Sequence, residues 1–269
     1  MSLGRATSSE LTKQFTTAIW WVLAIVLALY VGVTAGGISA AIGAAASGIL
    51  TDSAPTGMGD GGTDMLYSLA NSIGYVFPVL IGTLLVTGEF RHKTLTLTFL
   101  ATPRRGVVLW AKLLAGAVMG VIYGVVALVA TVGAVAGVLA AFGIDPELGS
   151  LDTWAMLGRI LIAYVLWVLV GIGTGLVIRN QVAAIVVVLA FTQFVEPLLR
   201  LGGSFVEWLT DAARFLPGAA GDALVGASIF GAGGGADPLP WWAGGAVLLG
   251  YAAVLVIIGH ITSWRRDVA

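Results

Sequence analysis

The chain has 269 residues, of which 58% are hydrophobic and only 10% are charged. A soluble domain carries about 25% charged residues, so this composition excludes a soluble enzyme and a disordered protein. The net charge of −1 leaves no basic excess to neutralise phosphates, which argues against nucleic acid as a partner. There is no cysteine, and therefore no disulfide or cysteine-ligated metal. The composition is that of a polytopic membrane protein.

Six apolar stretches are long enough to cross a bilayer core of about 30 Å. Because the runs are continuously apolar, they predict helices rather than the alternating strands of a β-barrel. The first and third runs are over-long and would tilt or project from the bilayer. A cleaved signal peptide is the alternative for the first run. The first predicted span begins near Thr17 and the third begins at Val107. The second, fourth, fifth and sixth cover Met65–Val86, Trp154–Ile178, Val182–Leu199 and Trp241–Ile261.

Lys and Arg are distributed unevenly between the two sets of loops. One side carries ten of them against three acids, and the other carries three against eleven acids. The positive-inside rule therefore places the first side, which holds both chain termini, in the cytoplasm. Its ten basic residues are Arg5, Lys13, Arg91, Lys93, Arg104, Arg105, Lys112, Arg179, Arg265 and Arg266.

The residues before the first span have a helical pattern. Leu11, Phe15 and Ile19 share one face, with polar residues between them, which predicts a helix over 8–18 at the inner membrane interface. Ser8 or Ser9 is the expected N-cap.

The segment 202–240, between the fifth and sixth spans, contains two apolar pieces separated by Pro217. Each piece is too short to span, so we expect two re-entrant helices in the outer leaflet. An amphipathic surface loop is the alternative.

The inner loop 89–106 combines basic and apolar residues. Thr94–Phe99 alternates like a strand, but a lone strand leaves its backbone groups unpaired, so a short helix is favoured. Apolar groups rimmed by charges are typical of a docking surface for another protein.

The motifs of this loop resemble those of a known family. Thr87-Gly88-Glu89, Leu100-Ala101-Thr102-Pro103, Arg104-Arg105 and Ala111-Lys112, together with Phe215-Leu216-Pro217, are similar to the membrane subunit of bacterial ATP-binding-cassette (ABC) exporters of the type-2 permease family. The Gly-rich stretch Gly231–Gly235 departs from that pattern.

The resemblance implies a single permease domain over 1–269, in the bacterial inner (plasma) membrane. It implies a working unit of two permeases, expected to be a homodimer, surrounded by membrane lipid, and two ATPase subunits that hold the ATP and Mg. A coupling helix within Arg91–Thr102 would dock in the ATPase. The implied coupling residues are Glu89, Arg91, Lys93, Thr94, Thr102, Pro103, Arg104 and Arg105.

We expect no catalytic residue and no cofactor in this chain. None of its three lysines follows a glycine as in a phosphate-binding loop. His92 and His260 are the only histidines, far apart in sequence, so we predict no metal site. The predicted function is export of a hydrophobic or amphipathic drug, antibiotic, peptide or lipid. An ion-coupled secondary transporter, a membrane scaffold and an intramembrane enzyme are the alternatives.

Polar residues within spans usually face a cavity or the bundle interior. On that ground, and because the resemblance puts the second and fifth spans along the central pathway, the candidate pathway residues are Asn71, Thr83, Thr192, Gln193 and Glu196. Glu196 has an alternative role in an ion pair with Arg200, four residues on. Asp211 and Arg214 are expected either to keep the loop soluble or to form a local pair.

Gly116, Gly120 and Gly124 form a stripe of small residues on the third span. Such a stripe lets helices approach closely. It predicts either sliding or dimer contacts, or packing within the chain.

Overall fold

The computed structural model describes residues 2–47, 61–94, 98–100, 104–203, 205, 207–228 and 239–264. Every regular element in these ranges is a helix. The helices are α1 (Leu3–Phe15), α2 (Ile19–Ala46), α3 (Gly62–Ser72), α4 (Val76–Arg91), α5 (Arg105–Ala141), α6 (Leu151–Val177), α7 (Gln181–Ala190), α8 (Glu196–Gly203), α9 (Glu207–Ala213), α10 (Pro217–Val225) and α11 (Trp241–Gly259), with π-helical turns at Phe191–Val195 and His260–Trp264.

Six helical segments are long and apolar enough to cross a membrane, which confirms the predicted all-α polytopic membrane fold. We call the end of the bundle that holds the loop after the second span the inner end, following the predicted orientation, and the opposite end the outer end. The six segments are Ile19–Ala46, Gly62–Arg91, Arg105–Ala141, Leu151–Val177, Gln181–Gly203 and Trp241–Thr262.

The fourth span, α6, is the centre of the bundle, with the second, third and sixth spans packed against it. Glycines allow these close approaches. A Cβ placed on Gly120 would lie 2.7 Å from the Cα of Val165. Gly116 and Gly124 of the same stripe also face α6, so the stripe packs within the chain.

The first and third spans run parallel to each other. A Cβ on Gly32 would lie 3.7 Å from that of Ala130, and one on Gly36 would lie 3.5 Å from that of Ala134. At about 1.5 Å per residue, the 28-residue α2 and the 37-residue α5 exceed a bilayer core. The two over-long runs of the sequence are therefore two over-long helices.

The second span is broken, where the sequence predicts one continuous helix. Its outer half is α3 and its inner half is α4, with a turn over 73–75 between them. Pro78 has no N–H to donate to the carbonyl of Gly74, so the regular helix cannot pass through this point. The Tyr164 hydroxyl of α6 donates to the carbonyl of Ala70 at 2.6 Å and stabilises the break.

The fifth span changes from α-helix to π-helix at Phe191–Val195. Pro197 offers no N–H to the carbonyl oxygens one turn earlier. The carbonyl of Thr192 instead accepts a hydrogen bond from the Tyr75 hydroxyl at 3.0 Å. The irregular turn therefore ties the fifth span to the second.

The N-terminal helix exists but is displaced from its predicted range. It covers Leu3–Phe15 rather than 8–18. The predicted cap at Ser8 or Ser9 is wrong, because the N-cap is Ser2, whose side chain makes no capping bond. The Thr7 hydroxyl donates to the carbonyl of Leu3 at 3.1 Å, so the residues before Ser8 are accommodated inside the helix.

Two short helices, α9 and α10, occupy the described part of 202–240. Nearly every residue of α10 is buried, and it packs against α3, α6 and α11. It is therefore a core element rather than a surface loop. The Gly231–Gly235 stretch lies outside the described residues.

The glycine stripe gives a stability prediction. Gly120→Leu should destabilise the protein by about 1–3 kcal/mol, because the added side chain would meet the α6 backbone. Gly133→Leu, on the same helix but with no atom near its Cβ position, should have little effect. Unfolding of the two variants in detergent measures this, and equal stabilities would contradict the packing assignment.

Candidate functional site

Two clusters of charged and polar side chains are buried in the bundle, one at each end. The first, which we call the inner ring, consists of Glu10, Lys13, Glu89 and Lys112. The second, which we call the outer network, consists of Asn71, Ser72, Glu196, Arg200, Asp222 and Ser228.

In the inner ring, each carboxylate pairs with both ammonium groups. Glu10 lies 2.6 Å from the Nζ atom of Lys13 and 2.6 Å from that of Lys112. Glu89 lies 2.8 Å from the Nζ of Lys13 and 2.9 Å from that of Lys112. Two negative and two positive charges thus cancel. Since the four side chains come from three helices, the ring joins α1, α4 and α5 at their inner ends.

Charge balance is what makes this burial tolerable. Lys112 is completely buried and Glu10 is 3% exposed, and an unpaired charge in such a place would cost several kcal/mol. Burial acts to lower the pKa of Lys13, but its hydrogen bonds to Glu10 and Glu89 outweigh this, so the pKa lies above the ordinary value. The contribution of Lys13 to stability is therefore complete at neutral pH, below the ordinary pKa of lysine, and is lost as the pH rises through that raised pKa.

The loop after α4 starts from the inner ring. Lys93 adopts a left-handed conformation with φ of 54°, and the N–H of Thr94 donates to the carbonyl of Glu89 at 3.1 Å. The chain therefore turns sharply. Residues 98–100 are helical, in agreement with the short helix favoured over a strand for this loop, while 95–97 lie outside the described residues. The Thr98 hydroxyl accepts a hydrogen bond from Lys13 at 3.3 Å.

The predicted coupling residues fall into three groups. Arg91, Lys93, Thr94 and Arg104 are exposed. Glu89 is buried in the inner ring, and the Arg105 guanidinium lies 5.1 Å from the ring centroid of Phe99. Thr102 and Pro103 lie outside the described residues.

Asp222 of α10 is the centre of the outer network. Its Oδ1 accepts hydrogen bonds from the Asn71 amide and the Ser72 hydroxyl, both at 3.0 Å. Its Oδ2 accepts from Arg200 at 2.8 Å and from Ser228 at 2.7 Å. This carboxylate therefore connects α10 to the second and fifth spans.

Glu196, on the fifth span, also contacts α10, but through a backbone group rather than through Asp222. One carboxylate oxygen accepts the backbone N–H of Ala219 at 3.0 Å, so the negative charge lies at the N-terminus of α10, where the helix dipole favours it. The same oxygen lies 3.2 Å from Arg200, which is the ion pair that the sequence offered as the alternative role. Asp211 and Arg214 also form their expected local pair, at 3.4 Å.

The five candidate pathway residues do not converge on one place. Asn71 and Glu196 both belong to the outer network. The Thr83 hydroxyl donates to the carbonyls of Val79 and Gly171 and so joins the second span to α6, whereas the Thr192 hydroxyl donates to Val188 within its own span. Gln193 is exposed on the fifth span.

Sequence reasoning missed Asp222, although a signal was present. It is the one charged residue in the apolar piece 219–230, and an acid in such a run is costly unless a partner compensates it. It also missed the stacking of Tyr75 on Trp167 beside the network, with ring centroids 4.5 Å apart.

Neither the family models nor the curated proteins compared with this chain give a match. Within the described residues, no group of three or more His, Asp or Glu side chains could hold a metal ion. The two buried clusters are therefore the features from which function must be argued.

Removing the central carboxylate should strongly destabilise the protein. Asp222→Ala removes the acceptor of four hydrogen bonds, although Arg200 keeps its ion pair with Glu196, and we expect a loss of about 1–3 kcal/mol for each buried donor left unpaired. Asp211→Ala, which breaks an exposed pair, should cost at most about 1 kcal/mol. Unfolding in mixed detergent micelles measures both, and an Asp222→Ala effect no larger than the control would contradict the role of the network.

Proposed function

We propose that the chain is the permease subunit of an ATP-driven ABC exporter that moves a hydrophobic or amphipathic compound out of a bacterial cell. Two permease copies and two copies of a separate ATPase subunit, which binds ATP and Mg, would form the working unit. The observation that carries this proposal is the inner loop, which presents basic and apolar side chains from a base fixed by the inner ring.

A loop that receives force from a partner needs a firm connection to the spans. The inner ring supplies this connection. Glu89 lies near the end of the second span and Lys112 lies near the start of the third, and both are paired with α1. Separating these charges inside the bundle would cost several kcal/mol. A pull on the loop would therefore move α1 and both spans together.

The exposed surface of the loop is suited to a protein partner. Arg91, Lys93 and Arg104 offer positive charge, and Leu100 is 74% exposed. An exposed apolar side chain within a basic rim is typical of a protein interaction site. This supports docking of an ATPase whose contact surface is acidic at its edge and apolar at its centre.

The second span offers the route from the loop to the outer end. Asn71 and Ser72, just before the turn over 73–75, belong to the outer network, and Glu89 near its inner end belongs to the inner ring. Most of the span is buried between other helices. Motion at the inner loop would therefore reach the outer network through the inner half, α4, and the turn over 73–75.

One observation favours a second candidate, an ion-coupled secondary transporter. Such a protein needs paired carboxylates within its spans, and Glu196 and Asp222 are bridged by Arg200 in the outer network. Uptake or efflux by vesicles that hold a proton gradient but no ATP would favour this candidate, whereas strict dependence on ATP would exclude it.

The docking role is tested by reversing charge on the loop. Lys93→Asp and Arg104→Glu should reduce the amount of ATPase that copurifies with the tagged chain by roughly tenfold, equivalent to about 1.4 kcal/mol. Aspartate is chosen for position 93 because it tolerates the left-handed conformation. Arg5→Glu, an exposed reversal on α1, is the matched control and should have little effect.

Two results would contradict the proposal. One is that no protein with ATPase activity copurifies with the unmodified chain. The other is that both loop variants retain the full amount of ATPase.

A further inference from the structure

The helix α10 is short, buried and in contact with four spans, the second, fourth, fifth and sixth. Its nine residues extend about 14 Å at ~1.5 Å each, too short to cross a bilayer. Ala220 and Val225 are fully buried. Whether each contact of α10 is polar or apolar indicates how readily that contact can separate.

Opposite charges lie at the two ends of α10. Glu196 of the fifth span accepts the Ala219 N–H at its N-terminus. At its C-terminus, the chain turns at Gly226 with a left-handed φ of 91°, and the guanidinium carbon of Arg159 lies 3.4 Å from the Cβ position of that glycine. A carboxylate at the start of a helix and a guanidinium at its end both complement the helix dipole.

The contact with the sixth span is apolar and very close. A Cβ on Gly244 would lie 2.7 Å from the backbone nitrogen of Leu224 and 2.9 Å from the Cβ of Ala223. Water cannot replace van der Waals contacts of this kind without loss of their packing energy. We therefore expect the contact between α10 and the sixth span to remain intact.

The contact with the second and fifth spans is polar. It consists of the hydrogen bonds from Asn71, Ser72 and Arg200 to Asp222, and of the bond from the Ala219 N–H to Glu196. Water can replace each of these bonds with a similar one, so separation on this side costs far less than it would for an apolar contact. The two faces of α10 therefore differ in how readily they come apart.

We propose that α10 is an outer gate that remains packed on the sixth span and separates from the second and fifth spans when its polar bonds, those to Asp222 and the one to Glu196, are exchanged for water. Opening of this gate during transport rests on the proposed function, whereas the asymmetry between the two faces of α10 belongs to the fold. Asp222 acts as the latch of the gate.

The absence of cysteine from the sequence makes a thiol-labelling test direct. Ser72→Cys reports on the polar side, where Ser72 contacts Asp222, and Ala223→Cys reports on the apolar side, where Ala223 faces Gly244. Both positions are buried. A membrane-impermeant maleimide is applied to the outer side of vesicles that contain the purified chain.

We expect the cysteine at position 72 to react about tenfold faster when Asp222→Asn is added, while the cysteine at position 223 keeps its rate. Ser228→Ala provides a milder release, because it removes one of the four hydrogen bonds of Asp222 and keeps every charge. It should accelerate labelling at position 72 a few-fold, again without effect at position 223.

Two outcomes would overturn the gate. In one, neither Asp222→Asn nor Ser228→Ala changes the rate at position 72. In the other, labelling at positions 72 and 223 accelerates equally, which would mean that Asp222 stabilises the packing of the whole outer end. Neither readout uses an ATPase, so the gate can stand even if no ATPase copurifies and the proposed function fails.

Discussion

The balance of buried charge is the constraint on which the rest of this structure depends. In an apolar bundle, an unpaired charge is too costly to retain, so each buried ionic group needs a compensating partner. Lys112 finds Glu10 and Glu89, and Asp222 finds Arg200. These pairs join different helices: the inner ring ties α1, α4 and α5 together, and the Asp222–Arg200 pair lies at the contact where α10 can separate.

The two clusters have one element in common, the second span. Glu89 fixes its inner end to α1 and the third span, while Asn71 and Ser72, just before the break at 73–75, fix its outer half to α10. Between these points, the span packs on α6 through Gly171, opposite Val79. A segment that is tied at both of these points and packed between them is suited to carry a displacement from the inner ring to the outer network.

Much of the fold could be predicted from the sequence, because apolar runs of sufficient length dictate spans in a bilayer. All six spans are present. The break before Pro78 and the π-helical turn before Pro197 were not predicted. They depend on tertiary partners, Tyr164 and Tyr75, whose hydroxyls donate to carbonyls that lack their regular helical hydrogen bonds. The ion pair between Glu196 and Arg200 was foreseeable because it lies within one helix, whereas Asp222 and the inner ring required knowledge of which helices meet.

The claim that the second span connects the inner ring to the gate can be tested with one measurement. It is the ATP-dependent change in maleimide labelling at Ser72→Cys, in a complex with the ATPase subunit that the proposed function requires, recorded together with the rate of ATP hydrolysis. With the inner ring intact, ATP should accelerate the labelling. With Glu89→Gln, hydrolysis should continue but the acceleration should disappear. Equal acceleration in both proteins would contradict the claim that the ring transmits the motion.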